Sequence, residues 1–79
     1  MRIKAKLYGT LSQRFPGYSH SEGIELDLPE GATVKELFAL LEIPESQKAV
    51  LTMEGRIQKP GDVLQSGAQV HIFNPIHGG

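Results

Sequence analysis

The chain has 79 residues, a net charge of -1 at pH 7 and no cysteine. A chain this short forms one domain with a thin core, which favours a binding or carrier role over an enzyme with a deep cleft. Its dispersed charges exclude a basic surface for nucleic acid, and the lack of cysteine excludes disulfides, thiolate metal sites and a thiol nucleophile.

The first half of the chain predicts two strands. The segment MRIKAKLY alternates apolar residues with lysine and arginine, which is the period-two pattern of a half-buried strand. TLSQRF then predicts a short helical turn capped by Thr10, and PGYSHSEG predicts a loop. IELDL alternates again and predicts the second strand, which Pro29 ends.

The main helix is predicted within PEGATVKELFALLEIP. Thr33 followed by Glu36 has the spacing of a capping box at the N-terminus of a helix. Pro44 disfavours helical geometry at Ile43 and is expected to end the helix there. The apolar positions have helical spacing and predict one buried stripe: Val34, Leu37, Phe38 and Leu41.

The second half predicts three more strands. KAVLTM and RIQK are joined by a tight turn at Glu54-Gly55, and QVHIF follows the turn-rich connector PGDVLQSGA. One amphipathic helix and several amphipathic strands form a core only when the helix lies across a single sheet. We therefore predict an α+β fold of the β-grasp, or ubiquitin-like, type. It has a mixed sheet of about four to five strands, with the last strand parallel to the first.

The alternation stops after Phe73. Asn74-Pro75 cannot continue a central strand because proline has no N–H to donate. The sequence thus divides into a domain at 1–73 and a flexible, extended tail at 74–79 that ends in Gly78-Gly79. Fully extended, that tail reaches up to roughly 20 Å.

A β-grasp pattern that ends in Gly-Gly resembles the sulfur-carrier proteins of the MoaD/ThiS family. The resemblance covers essentially the whole chain, through LPEGATVKELFALL, EGRI and LQSGAQVHIFNPIHGG. It is nearest to the small subunit of molybdopterin synthase, which has a short helix after its first strand, where TLSQRF stands here. The ending FNPIHGG is also similar to the ending of that subunit.

The resemblance implies a carrier rather than an enzyme. The Gly79 carboxylate would be adenylated by an E1-like enzyme of the MoeB/ThiF type and converted to a thiocarboxylate. ATP would be used by that enzyme, with no cofactor bound by this chain alone. The sulfur would come from a donor such as a persulfide-bearing protein and pass to a pterin in the large subunit of the synthase.

The remaining site residues are expected near the tail. Gly78 would give access to a narrow tunnel, while Pro75, Ile76 and His77 would contact partners and Phe73 would anchor the tail. For Phe73 and Ile57, ordinary sheet packing and partner docking are both open interpretations. His20 and His71 lack metal-ligand spacing, so no metal site is predicted.

The chain departs from the family pattern at three places, of which His77 keeps other functions open and the other two change little chemically. Asn74 replaces a proline, His77 replaces a small residue, and Ser66-Gly67-Ala68 replaces an acidic turn. The alternatives are a carrier for thiamine thiazole, a carrier for a tungsten cofactor, a ubiquitin-like protein modifier and an interaction module with an inert tail. With no apolar run near 18 residues and no signal-like N-terminus, we expect a cytoplasmic protein without membrane contact.

Overall fold

A computed structural model describes residues 1–75 of the chain. Short 3-10 helices occupy two of the connections, at Gly9–Arg14 and Glu45–Gln47. The remaining elements, in chain order, are β1 Arg2–Leu7, β2 Ile24–Asp27, α1 Val34–Leu40, β3 Val50–Met53, β4 Arg56–Gln58 and β5 Gln69–Phe73.

The strands form one five-stranded sheet in the order β2-β1-β5-β3-β4. Strand β1 pairs antiparallel with β2. It pairs parallel with β5, as the sequence predicted. Strand β3 pairs antiparallel with the other side of β5 and with β4. This is the predicted β-grasp arrangement, with the C-terminal strand at its centre.

The turn between β3 and β4 also follows the sequence prediction. Glu54 and Gly55 have φ values of 54° and 77°, and two successive positive φ values are typical of a type I′ hairpin turn. This turn is twisted in the same sense as the strands that it joins, which favours the short β4 pairing.

The core lies between the sheet and α1. Alternate residues of β1 and β5 point towards the helix, and the stripe on α1 faces them. Burial of these side chains is the main stabilising contribution, at about 25 cal/mol per Å² of apolar surface. The residues with no exposed surface are Ile3, Ala5, Leu7, Leu11, Leu37, Val70 and Ile72.

Helix α1 begins where the sequence predicted and ends earlier. The Thr33 side chain accepts a hydrogen bond from the Glu36 backbone N–H at 3.3 Å. The expected end at Ile43 was wrong, because the last helical residue is Leu40 and Glu42 takes a left-handed conformation with φ 58°. The Ile43 N–H then bonds to the Phe38 carbonyl at 2.9 Å, which is the Schellman arrangement.

The first short helix is a 3-10 helix, and Thr10 does not cap it. Its N-cap position is Tyr8, which makes no side-chain capping bond, and Thr10 lies inside the helix. Leu11 points into the core and Phe15 is half-buried. Core packing of these two residues therefore holds the segment in place without a polar cap.

Across residues 1–75, no helix has the length and apolar character needed to span a membrane.

Candidate functional site

The candidate site is built around the end of β5. This strand is hydrogen-bonded on both sides, with Leu7 of β1 and Leu51 of β3 both opposite Ile72. The Tyr8 N–H donates a further bond to the Ile72 carbonyl at 3.1 Å. The backbone that leads into the C-terminal segment is therefore anchored firmly at Ile72.

Pairing of β5 stops one residue later. Phe73 is half-buried and lies opposite Val50, the first residue of β3. Asn74 and Pro75 are also half-buried and belong to no strand. The Asn74 side-chain oxygen is buried and has no hydrogen-bond partner among residues 1–75.

The other predicted tail residues, Ile76, His77, Gly78 and Gly79, lie outside the described residues. The roles predicted for them therefore stay predictions. The structure places their point of departure, at the end of the central strand and beside the first residue of β3.

The face of the sheet opposite α1, which we call the open face, is the second part of the candidate site. In the sheet register Lys6 lies beside His71, and His71 lies beside Thr52. Thr52 in turn lies opposite Ile57, which is 72% exposed. Such a high exposure excludes the interpretation of Ile57 as an ordinary packed residue of the sheet. Phe73 is half-buried, so both interpretations stay open for it.

An aromatic cluster on the open face was missed by sequence analysis. The Tyr8 hydroxyl lies 2.7 Å from Nδ1 of His71, and the Tyr8 ring meets the His20 ring edge-on at a centroid distance of 4.9 Å. The Tyr18 ring packs edge-on against His20. The Tyr18 hydroxyl accepts a hydrogen bond from the Leu7 N–H at 2.8 Å. The one available signal was that Tyr8 continues the alternation of β1 on its polar side.

The two histidines separated by 51 positions in sequence thus contact the same tyrosine ring. Among the described residues no group of three or more histidine, cysteine, aspartate or glutamate side chains is arranged to hold a metal ion. Their shared position on the open face fits a contact surface, because histidine and tyrosine combine apolar rings with polar atoms.

Ion pairs balance some of the positive charges on the open face and leave others unpaired within residues 1–75. Arg2 pairs with Asp27 at 3.2 Å and with Glu25 at 3.4 Å. The hydrogen bond that Arg2 donates to the Asp27 carboxylate, followed by the negative charges of Asp27 and Glu25, raises the pKa of the Arg2 guanidinium above its usual value. Lys4 and Lys6 form no ion pair with another described residue, so they leave a small excess of positive charge beside β5.

Comparisons with known proteins agree with this architecture. A family model described as the ThiS family matches residues 6–79. No curated protein matches the chain significantly.

Two solved structures are similar over nearly the whole chain. SAMP1 from Haloferax volcanii has a TM-score of 0.69 and 19% sequence identity, with 100% of each chain covered. A putative molybdopterin converting factor, subunit 1, from Pyrococcus furiosus has a TM-score of 0.70 and 24% identity, with 95% of this chain and 98% of that chain covered. At these identities the similarity establishes the shared fold.

Proposed function

This chain belongs to the ThiS family, and we propose that it is a sulfur carrier whose Gly79 carboxylate is converted to a thiocarboxylate. The observation that carries the proposal is the family match, which extends through the glycine pair to residue 79. The position of β5 supports it, because a strand held on both sides gives the reactive segment a fixed origin.

The chemistry begins with activation of a carboxylate. Carboxylate oxygen attacks the α-phosphate of ATP within an E1-like enzyme, which releases pyrophosphate and forms an acyl-adenylate. Sulfide attacks the carbonyl carbon of this mixed anhydride, and AMP leaves with the bonding electron pair. The product carries sulfur on Gly79 in place of one carboxylate oxygen.

The residues of the tail suit this reaction. Gly78 and Gly79 have no Cβ, so they fit a narrow tunnel and leave the carbonyl open to attack. Pro75 restricts the backbone before them and so reduces the entropy lost when a partner binds the tail. The chain has no cysteine, so sulfur carried covalently by this protein is best placed at the backbone terminus.

For the acceptor we propose a pterin in the large subunit of a molybdopterin synthase. The sulfur source is a persulfide-bearing protein, from which a thiol releases sulfide by reduction and is itself oxidised to a disulfide. The 3-10 helix Gly9–Arg14 supports this choice, because the small subunit of that enzyme has a short helix at this point. The name of the similar Pyrococcus furiosus protein points the same way. The proposal places the reaction in the cytoplasm, with ATP consumed by the activating enzyme.

A second candidate is a ubiquitin-like modifier. It is favoured by the similarity to the Haloferax volcanii protein SAMP1, which is described as small archaeal modifier protein 1. The same acyl-adenylate would then be transferred to a lysine amine of a target protein. The two functions differ in the nucleophile that attacks the acyl-adenylate, which is sulfide for a carrier and a lysine amine for a modifier.

Intact-protein mass spectrometry tests the proposal. The untagged chain is incubated with ATP, an adenylating enzyme from the same cell and sulfide, beside a matched chain that lacks Gly79. We expect a mass increase equal to replacing one oxygen by sulfur, present in the full chain and absent from the control. No increase with any adenylating enzyme of the host would refute the carrier function.

The acceptor is identified in a second step. The thiocarboxylate form is mixed with a candidate synthase subunit, and loss of sulfur from the carrier is followed together with the sulfur content of the acceptor. Transfer to a pterin supports the proposed pathway, and transfer to a thiazole precursor contradicts it. Isopeptide-linked conjugates in cell extract would support the modifier instead.

A further inference from the structure

A groove opens between α1 and the start of β3, on the side of the sheet opposite the open face. Its volume is about 720 Å³, within the range of roughly 300–1,000 Å³ that is typical of ligand pockets. The groove is mainly apolar, and its apolar walls come from six residues: Phe38, Ala39, Ile43, Pro44, Ala49 and Pro60.

The groove wall is held in a fixed shape. Arg14 donates one hydrogen bond to the Glu42 carbonyl at 2.9 Å and another to the Gln47 side chain at 2.9 Å. The segment from Glu42 to Gln47 is therefore held near both ends. Within it, Ile43 and Pro44 line the groove. A groove that is already formed loses little entropy when it is occupied.

The rim of the groove carries charges of both signs. The residues are Lys35, Glu42, Glu45 and Lys48. None of them forms an ion pair with another described residue. An occupant with an apolar side chain, a cationic group and a carboxylate would therefore be complementary to this site.

The end of β5 lies next to this groove. Phe73 is opposite Val50, and the two residues before Val50, Lys48 and Ala49, both line the groove. Four residues follow Pro75 in the sequence, and they span up to about 13 Å when extended. That length is enough to cross one strand, about 4.8 Å wide, and enter the groove.

Asn74 favours a turn directly after β5. It follows Phe73, the last residue of the strand, and is half-buried. Its side-chain oxygen is buried and lacks a partner within residues 1–75. Asparagine favours turns because its side-chain oxygen can accept a hydrogen bond from the backbone N–H two residues later.

We propose that the groove is a docking site for the chain's own segment 76–79, occupied when no partner holds the tail. Ile76 supplies the apolar side chain for the wall at Phe38. His77 lies near the carboxylates of the rim, and the terminal carboxylate pairs with a rim lysine. This places the chain's end on the helix side, away from the open face.

Amide NMR spectra test the docking without any sulfur chemistry. The spectrum of the full chain is compared with that of a chain ending at Pro75. Docking predicts shift differences at Ala39 and Ile43, which line the groove on the side of α1. Differences confined to Ala49, Val50 and residues 73–75, which adjoin the truncation in the sheet register, would overturn the proposal.

A matched pair of variants tests the groove itself. Ala39→Trp fills the groove from an exposed helix position, whereas Leu40→Trp adds the same ring at the neighbouring exposed position outside it. We expect the amide shifts of residues 76–79 to match those of a free peptide of sequence NPIHGG in Ala39→Trp and to keep their wild-type values in Leu40→Trp. Ile76→Asp should release the segment like Ala39→Trp.

Wild-type tail shifts that already equal those of the free peptide would refute docking. Because neither measurement uses ATP, sulfide or a partner, a negative result leaves the carrier function untouched. Conversely, failure of the thiocarboxylate assay leaves the docking result standing.

Discussion

The two faces of the sheet are formed by the same strands but differ in how far their side chains are buried. In β5, Val70 and Ile72 have no exposed surface and pack under α1. His71 and Phe73, one residue away in each case, are only half-buried and lie on the open face. Since side chains alternate along a strand, core packing and the expected partner contact fall on alternate residues of one segment. Substitutions in β5 should therefore change one property without the other.

The largest expected effect is on the covered face. Ile72→Ala removes buried methyl groups and leaves a cavity, which should lower the free energy of unfolding by about 2–5 kcal/mol. His71→Ala on the same strand loses one exposed hydrogen bond to Tyr8 and should cost no more than about 1 kcal/mol. Urea unfolding followed by circular dichroism measures both. Equal costs for the two variants would mean that the faces do not differ as described.

The next effect distinguishes partner binding on the open face from stability of the fold. Ile57→Asp places a charge in the exposed apolar position of β4, and we expect about tenfold weaker binding to the adenylating enzyme, or about 1.4 kcal/mol. Unfolding should be little changed because the side chain is 72% exposed.

Val63→Asp is the matched control for that experiment. Val63 is a branched aliphatic residue, 56% exposed, in the connector between β4 and β5. Its isolated bridge is to Thr33, before α1, and not to a neighbour on the open face. Isothermal titration should show near-normal binding for Val63→Asp. Weakening by both variants to the same degree would point to a general charge effect and away from an open-face contact.

The smallest effect concerns the charged edge of the open face. Arg2 contacts Asp27 and Glu25, but its side chain is 63% exposed. Exposed ion pairs are screened by salt and contribute little to stability. We expect Arg2→Gln to leave the urea midpoint unchanged within error at high salt and close to unchanged at low salt. A large drop would show that open-face polar contacts stabilise the fold after all.

Most of the fold was predictable from local patterns. Alternation in MRIKAKLY and QVHIF, the helical stripe from Val34 and the Glu54-Gly55 turn each depend on near neighbours in sequence. These short-range preferences agree with the final arrangement, so they predicted β1, β5, α1 and the hairpin correctly.

The missed features depend on distant contacts. Helix α1 stops before Pro44 because Glu42 is left-handed and its carbonyl binds Arg14, 28 positions away. The Tyr8–His71 contact joins residues 63 positions apart. No local pattern encodes such pairs, which is why neither the helix end nor the aromatic cluster was predicted.

The candidate site was predictable only in part. The sequence predicted where β5 ends and that Pro75 lies beyond it, but it gave no indication that the Asn74 oxygen is buried. The groove was not predicted either, since its walls come from α1, the following turn and the connector at Pro60. The roles of Ile76, His77, Gly78 and Gly79 remain predictions that require the experiments above.

The central position of β5 also has a mechanical consequence. In the proposed function, a partner that draws the terminal segment into a tunnel would apply a pulling force along this strand. Because β5 is bonded to β1 on one side and to β3 on the other, the load is shared across two ladders and shears them together. An edge strand would instead peel away one bond at a time. The domain can therefore be held by its last residues without losing the strand that carries them.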